Sequence, residues 1–332
     1  MQFWAVAPST QAQAAQASIE FEMVGDWGGI DHEPYFTPAQ LAGAKGMSQS
    51  QFSPRFVLGL GDNFYSTGID TDENSERFKN TWAQVYNPSV PWYLCAGNHD
   101  YKGNVSAQIA YTADDPLRMW TFPDYNYNFV EHWTEKGSEF SLEVIMIDTV
   151  ILVGMAEEQN DRTKPAYFHQ PTGPKDVALA EAQWDWLEGV LRVSSADFII
   201  VAGHYPVYSV CNHGPTQALE DRLLPLLQQY DAHYMSGHDH CASHIVDDKG
   251  VNHILNGMGD ECCYGASNLD QVVEKVGSDA IKFFVSDKHN PTRARSGFTS
   301  ASLTTRGMVV KYHDQNGAEL FVADTIPLRQ KD

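Results

Sequence analysis

The sequence feature that most constrains the fold is the segment GDNFY, residues 61–65, which directly follows the apolar run Phe56–Leu60. A short apolar run ahead of a glycine-containing turn predicts a buried strand that presents Asp62 and Tyr65 together at its end. A carboxylate can bridge two cations, and a phenol ionises readily only beside a strongly positive ion such as Fe(III). Taken alone, the segment is equally compatible with a turn packed against the core. Four similar segments elsewhere in the chain favour a ligand site.

The composition is that of a globular, strongly acidic protein. The 332 residues suffice for one large α/β domain or two small ones. The formal net charge of −21, from 22 basic and 43 acidic residues, argues against a nucleic-acid partner and against an anionic membrane surface. It also disfavours a phosphate site unless bound cations reverse the charge locally. No apolar run approaches the roughly 20 residues of a membrane-spanning helix.

The chain carries no repeat or linker that would divide it, and its polar motifs extend from residue 26 to residue 240. We therefore expect a single catalytic domain over residues 19–330, preceded by a tail or leader remnant at residues 1–18. That first segment lacks the basic start of a signal peptide. An odd number of cysteines fits one disulfide with free thiols or a fully reduced chain, and leaves the compartment open. The cysteines are Cys95, Cys211, Cys241, Cys262 and Cys263.

Local patterns predict an alternation of strands and helices typical of an α/β protein. Strands are predicted at residues 19–24, 56–60, 90–96, 140–147, 197–202 and 232–236. Helices are predicted at about residues 37–48, 74–86, 177–193 and 215–229. Strand-like runs at residues 251–255, 281–285, 302–312 and 318–325 indicate a mixed or antiparallel edge. The long polar loop at residues 157–174 is of a length that usually marks a functional or mobile segment.

Metal-competent side chains follow five of the predicted strands, each next to a glycine. In open α/β sheets, ligand sites form beyond the carboxyl ends of the strands. Oxygen ligands mixed with imidazole suit iron, manganese or zinc, and seven ligands with one shared carboxylate would serve two ions. Each residue alone has an ordinary explanation as a turn, a cap or a core hydrogen bond, but together they favour a metal centre. The candidates are Asp26, Asp62, Tyr65, Asn98, His204, His238 and His240.

The ordered segments GDWG, GDNFY, GNHD, GHYP and GHDH resemble those of the metallophosphoesterases, and specifically the purple acid phosphatases. Tyr65 distinguishes that family from most of its relatives. Residues 97–111 and 201–216 are similar to the small, mammalian-type tartrate-resistant acid phosphatases. The resemblance covers about residues 19–328. It implies an α/β fold in which two packed mixed β-sheets are flanked by helices.

The resemblance also implies a role for each site residue. Fe(III) would be held by Asp26, Tyr65 and His240. A divalent ion, Fe(II), Zn(II) or Mn(II), would be held by Asn98, His204 and His238. Asp62 would bridge the two ions. His99 and His213 match family positions that, together with Asn98, contact the phosphate, and the two histidines are candidates for protonating the leaving group.

The function implied is hydrolysis of phosphate monoesters at acidic pH, with a water or hydroxide activated by two metals as the nucleophile. The expected substrates are small phosphomonoesters or phosphoproteins, and the expected state is a monomer in a secreted, lysosomal or vacuole-like compartment. Phosphodiester or phosphoanhydride hydrolysis on the same metals is an alternative. A non-enzymatic iron- or phosphate-binding protein is another, although the presence of His99 and His213 argues against it.

Some positions depart from the family pattern. Many small members carry an acidic residue where this chain has Asn212. The disulfide of the mammalian type cannot form here, because the matching positions are about Val153 and Gln217. Cys211 and the pair Cys262 and Cys263 are additional. Asn104 begins a glycosylation sequon in a family-like place, so we expect a glycoprotein.

Overall fold

Two mixed β-sheets form the centre of the molecule in the computed structural model, which describes residues 18–50, 52–156 and 170–330. Each sheet has seven strands within those residues. The expected tail at residues 1–18 lies outside the described residues except for Ser18, as does most of the predicted loop at residues 157–174.

The first sheet has a parallel half and an antiparallel half. Its order is β14-β13-β12-β1-β2-β3-β4, in which β1 to β4 run parallel and β12 to β14 are antiparallel to their neighbours. The strands are β1 (Ile19–Val24), β2 (Phe56–Leu60), β3 (Trp92–Cys95), β4 (Trp120–Thr121), β12 (Gly297–Thr304), β13 (Gly307–Asp314) and β14 (Glu319–Val322).

The second sheet repeats this plan. Its order is β11-β9-β10-β8-β7-β6-β5, with β6, β7, β8 and β10 parallel. The strands are β5 (Tyr127–Glu135), β6 (Ser138–Met146), β7 (Phe198–Ala202), β8 (His233–Ser236), β9 (Ala242–Val246), β10 (Asn252–Asn256) and β11 (Ile281–Val285). The parallel strands β2 and β7 are apolar and buried along their whole length, as expected for strands covered on both faces.

The core is divided by the second sheet. Because successive side chains of a strand point to opposite faces, Phe198 and Ile200 join the apolar cluster shared with the first sheet. Ile199 and Val201 join a separate cluster with Leu187 and other residues of two long helices. Helices therefore cover the outer face of the second sheet, and the predicted arrangement of two packed mixed sheets flanked by helices is confirmed.

Several helices begin at side-chain caps. Thr37 accepts a hydrogen bond from Gln40 N at the start of α1, and Asp176 caps α5 in the same way. The predicted helix at 74–86 has a π-helical turn, Phe78–Ala83, ahead of α2. The helices are α1 (Pro38–Gln49), α2 (Gln84–Tyr86), α3 (Val105–Asp114), α4 (Thr149–Val153), α5 (Val177–Val193), α6 (Gln217–Tyr230) and α7 (Leu269–Val276).

The sequence patterns located most of the parallel strands and the long helices to within two residues. They were wrong for residues 302–312, which the structure divides between β12 and β13 around a turn at residues 305–306. They also missed β4, β5, β9, α3, α4 and α7. In β5 buried residues are mixed with exposed and half-buried ones, so this edge strand has no continuous apolar run.

Candidate metal centre

Loops at the carboxyl ends of five parallel strands meet between the two sheets. Asp26 N donates to Gly61 O at 3.0 Å, which ties the loop after β1 to the loop after β2. Gly237 N donates to His204 O at 3.0 Å, which ties the loops after β8 and β7. His238 N donates to Asp26 Oδ2 at 2.6 Å and so joins the two sheets at the site. All seven candidate ligands lie on these loops or on the loop after β3.

One half of the site is built around the phenol of Tyr65. Its hydroxyl donates to Asp26 Oδ1 at 2.9 Å, and its oxygen lies 2.9 Å from His240 Nε2. His240 Nε2 also lies 3.5 Å from Asp26 Oδ1. The structure therefore brings a carboxylate, a phenol and an imidazole nitrogen together around one point, as the sequence predicts.

The other half is built around His204, which is fully buried. Its Nδ1 lies 2.8 Å from Leu60 O and donates to it, so the neutral ring has its lone pair on Nε2. That nitrogen faces Asn98 Oδ1 at 3.0 Å and Asp62 Oδ1 at 3.5 Å. Three potential ligand atoms thus converge in a buried space, where either a proton on Nε2 or a bound cation would offset the repulsion between their lone pairs.

The pKa values of the buried carboxylates and of His204 also indicate that this space favours positive charge. Burial lowers the pKa of His204, but Asp62 and its hydrogen bond outweigh burial and raise that pKa to about 9. Burial raises the pKa of Asp62, but the charges of His204 and His99 outweigh it and hold the pKa well below its usual range. Burial raises the pKa of Asp26 to about 6, against the opposing charges of His204 and His240. A bound cation would satisfy the same demand for positive charge.

The donor set fits metal ions. Ligand atoms of Asp26, Asp62 and His204 all lie within 4.8 Å of one another. His238 belongs to the same assembly, since its ring centre lies 5.0 Å from that of His204. Two carboxylates, a phenol, an amide oxygen and three imidazoles are the ligands that iron, manganese and zinc accept.

A cleft of about 440 Å³ opens onto this centre. His99 and His213 lie on its walls beside the candidate ligands. His99 packs edge-on against Tyr65 with ring centres 4.6 Å apart, and its Nδ1 lies 2.7 Å from Ser66 O. His213 stacks on His238 at 4.3 Å. The cleft is lined by Gly29, Ile30, Asp62, Tyr65, Ser66, Asn98, His99, Ala156, His213, His238, His240, Asp260, Glu261 and Tyr264.

Two buried carboxylates that the sequence analysis did not single out hold the loops in place. Asp100 accepts from Gly97 N at 2.8 Å and from Asn63 N at 3.1 Å, which links the loops after β3 and β2. Asp239 accepts from His213 N at 3.0 Å and from Ser209 Oγ at 2.6 Å. Both aspartates stand inside the GNHD and GHDH segments, so the motifs themselves were the available signal.

Other contributors came from outside the motifs. Arg77 is buried, and its guanidinium donates to Gly28 O at 2.7 Å and to Gly68 O at 3.3 Å. Asp260, Glu261 and Tyr264 form a wall of the cleft, and Tyr264 stacks flat on His240 with ring centres 4.5 Å apart. No strand-end pattern marks these residues in the sequence.

The structure pairs four of the five cysteines, a point that the sequence left open. Cys211 and Cys241 form a disulfide, and Cys262 is joined to Cys263. Cys95 is a buried free thiol. Cys241 directly follows His240, so the first disulfide connects the loop of His213 to the loop of two candidate ligands.

Comparison with known families agrees with this site. Residues 24–242 match the model of the calcineurin-like phosphoesterases, and the chain belongs to that family. Human tartrate-resistant acid phosphatase type 5 is 36% identical over 317 residues, which cover 93% of this chain and 91% of that protein. Purple acid phosphatase 4 of Arabidopsis thaliana is 29% identical, over 98% of this chain and 91% of its own length.

A solved structure supports the fold. The Plasmodium protein GAP50, described as the anchor in the inner membrane complex, matches with a TM-score of 0.76 and 26% identity over 95% of this chain and 90% of its own. The chain is thus similar throughout to purple acid phosphatases and is a metal-dependent hydrolase of phosphate monoesters. Among the described residues, every helix is too short or too polar to cross a membrane.

Proposed function

We propose that the centre holds two metal ions and that this chain is an acid phosphatase of the Fe(III)–M(II) type. Asp26, Tyr65 and His240 would hold Fe(III). Asn98, His204 and His238 would hold Fe(II), Zn(II) or Mn(II), with Asp62 shared. The observation that carries the proposal is the position of the Tyr65 oxygen, 2.9 Å from both Asp26 Oδ1 and His240 Nε2. A phenol among such ligands favours a ferric ion, because only a strongly acidic cation ionises it readily.

The protein's own groups would orient the ester and move its proton. When bound, the two ions supply positive charge for the phosphoryl oxygens and acidify the attacking water. Asn98, His99 and His213 all line the cleft, so a phosphate bound in it would have these three side chains around it. We assign His213, or His99, as the group that protonates the leaving oxygen. Asp239 holds the backbone of His213 and would preserve that orientation.

Turnover by metal-loaded protein tests the proposal. The metal-free protein, reloaded with Fe(III) and Zn(II), should hydrolyse an aryl phosphate monoester at acidic pH and a bis-aryl phosphodiester much more slowly. Faster cleavage of the diester would favour the alternative of a phosphodiesterase on the same site. Absence of turnover with two metals bound would instead favour a non-enzymatic role, of the kind that the anchor description gives to GAP50.

We also propose that residues 19–330 act as one catalytic domain and as a monomer, on small phosphomonoesters or phosphoproteins. A secreted, lysosomal or vacuole-like location is supported by the disulfide Cys211–Cys241, since such bonds persist in oxidising compartments. Glycosylation of Asn104 is supported by its half-exposed place at the start of α3. Mass measurement of secreted protein before and after glycosidase treatment tests the last point.

A further inference from the structure

The two ring nitrogens of His240 have unlike surroundings. Nε2 faces Tyr65 and Asp26 inside the site. Nδ1 is buried and makes no hydrogen bond within the described residues. A carboxylate oxygen of Glu261 lies 3.6 Å from it, just beyond hydrogen-bond distance. A neutral imidazole that offers its Nε2 lone pair must carry its proton on Nδ1, and a buried N–H left without an acceptor costs about 1–3 kcal/mol.

Glu261 is placed to supply that acceptor. Its side chain is 67% exposed, whereas that of His240 is 10% exposed, so the glutamate is the partner that can move. Its loop follows His240 closely: Tyr264 N donates to His240 O at 2.9 Å, and the Tyr264 ring lies parallel to the imidazole. A small rotation of the Glu261 side chain closes the remaining gap.

In the other half of the site, the Nδ1 atom of the buried histidine has a neutral partner instead of a carboxylate. His204 Nδ1 donates to a neutral acceptor, the carbonyl of Leu60, at 2.8 Å. An imidazole that is hydrogen-bonded to a carboxylate is a more basic metal ligand than one that is hydrogen-bonded to a carbonyl. The carboxylate also adds negative charge to its side of the site. The half that contains Tyr65 is therefore the one built to favour the more highly charged ion.

We propose that Glu261 is a positioning residue, which accepts a hydrogen bond from His240 Nδ1 and favours a trivalent ion in the half of the site that holds Asp26 and Tyr65. The inference rests on the proposed function, because it takes His240 as a metal ligand. Nothing in the strand-end segments of the sequence points to this residue.

Titration of Zn(II) into metal-free protein tests the positioning role. Wild type should bind two ions. Glu261→Ala should lower the affinity for one of the two ions roughly 10–100-fold, which is the usual effect of removing the hydrogen-bond partner of a metal ligand. The affinity for the other ion should not change. Glu261→Gln keeps an oxygen acceptor and should retain most of the affinity. Glu188→Gln, the same change at an exposed position on α5, is the matched control and should behave as wild type.

The iron-loaded protein tests the effect on charge. Glu261→Gln should shift the Fe(III)/Fe(II) potential to a more positive value, whereas a merely structural side chain would leave it unchanged. Equal zinc affinities in wild type and Glu261→Ala would overturn the role of Glu261 but leave the proposed metal centre standing. Wild type that binds fewer than two zinc ions would overturn the proposed metal centre as well. If no iron binds, the zinc titration decides.

Discussion

At the scale of single residues, three candidate ligands hold backbone conformations that their side chains disfavour. Asp26, Asp62 and His238 have φ values of 59°, 52° and 75°, in the left-handed region. Such a conformation costs on the order of 1 kcal/mol for a residue other than glycine. Asp26 accepts hydrogen bonds from the Tyr65 hydroxyl and from His238 N, and Asp62 accepts one from His99 N, which offset part of that cost and orient each carboxylate.

Tyr65→Phe should abolish the visible colour of the iron-loaded protein. A tyrosinate on Fe(III) gives a charge-transfer band that a phenyl ring cannot give, so the variant should bleach or shift strongly. Tyr264→Phe removes a phenol that lines the cleft but lies outside the ligand set, and it should keep the band. Absorption spectra of the three proteins at equal iron content make the comparison. A colourless, active wild type with zinc alone contradicts the ferric assignment.

Asp62→Asn should damage both metal positions, because an amide offers one good oxygen donor and no charge. His238→Ala should lose mainly the divalent ion and leave the iron and its colour. Both should lose most activity, since attack and charge stabilisation need the pair. Metal per chain after extensive dialysis separates the variants, with Asp260→Asn as a control in a cleft carboxylate outside the ligand set. Two metals and near-normal turnover in Asp62→Asn would make Asp62 a turn residue.

Candidate site residues that directly follow strands were easier to predict from the sequence than the residues that hold those side chains in place. Every candidate ligand comes shortly after a glycine at a strand end, so periodicity and local chemistry were enough to propose it as a ligand. Glu261 and Tyr264 reach His240 from more than 20 positions along the chain, and Arg77 reaches Gly28 across about 50. Such contacts depend on how the loops pack, which no local pattern records.

At the scale of elements, the parallel strands act as rigid supports for the loops. Fully apolar strands such as β2 and β7 were easy to recognise because burial on both faces leaves a continuous apolar run. The edge strand β5 mixes buried with exposed side chains over nine residues and has no such signature. The π-helical turn at Phe78–Ala83 was not predictable from its apolar spacing, which is also compatible with an α-helix.

One buried acid on β1 should make stability depend on pH. Burial raises the pKa of Glu22 from its usual 4.5 to about 7, although Ser50 Oγ donates to it at 3.0 Å. The folded protein thus binds this proton more tightly than the unfolded chain. Stability is unaffected below pH 4.5 and falls as the pH rises to about 7, by roughly 3 kcal/mol at most.

Glu22→Gln should therefore stabilise the protein at pH 7.5 by about 2 kcal/mol and give no gain at pH 4. The amide oxygen still accepts from Ser50. Glu20→Gln, the same change at a half-buried position on the same strand, is the matched control. Urea unfolding at the two pH values supplies the free energies. An equal effect of Glu22→Gln at both pH values would mean that folding does not raise the pKa of Glu22.

At the scale of the whole molecule, the site depends on how the two sheets are held together, because both contribute candidate ligands. Asp26, Asp62, Tyr65 and Asn98 follow strands of the first sheet, and the three histidines follow strands of the second. The pairing of two similar sheets was predicted through the family resemblance, not from the antiparallel strands, whose order along the chain does not reveal their partners. The strong negative charge of the chain is compatible with an anionic substrate, because the proposed cations would reverse that charge locally at the cleft.

The disulfide Cys211–Cys241 should contribute substantially to the stability of this assembly. It closes a loop with a sequence separation of 30, for which chain entropy gives about 3–4 kcal/mol. Both cysteines are fully buried, so the double change to Ala avoids burying new hydroxyls. That variant should melt roughly 5–10 °C lower than wild type. Cys95→Ala, which removes a buried free thiol, should cost much less.

Because the bond is buried, a reductant should act on it only once the chain unfolds. Urea unfolding of wild type with a thiol reductant present should therefore approach the curve of the double variant. The double variant itself should respond little, because its remaining Cys262–Cys263 bond joins neighbouring residues and closes almost no loop. The histidines beside the bond, His213 and His240, should also lose alignment, so the double variant should hold metal less tightly after dialysis. Identical unfolding of wild type with and without reductant would show that Cys211 and Cys241 are thiols, and that the loops carrying His213 and His240 are held by hydrogen bonds such as those of Asp239 alone.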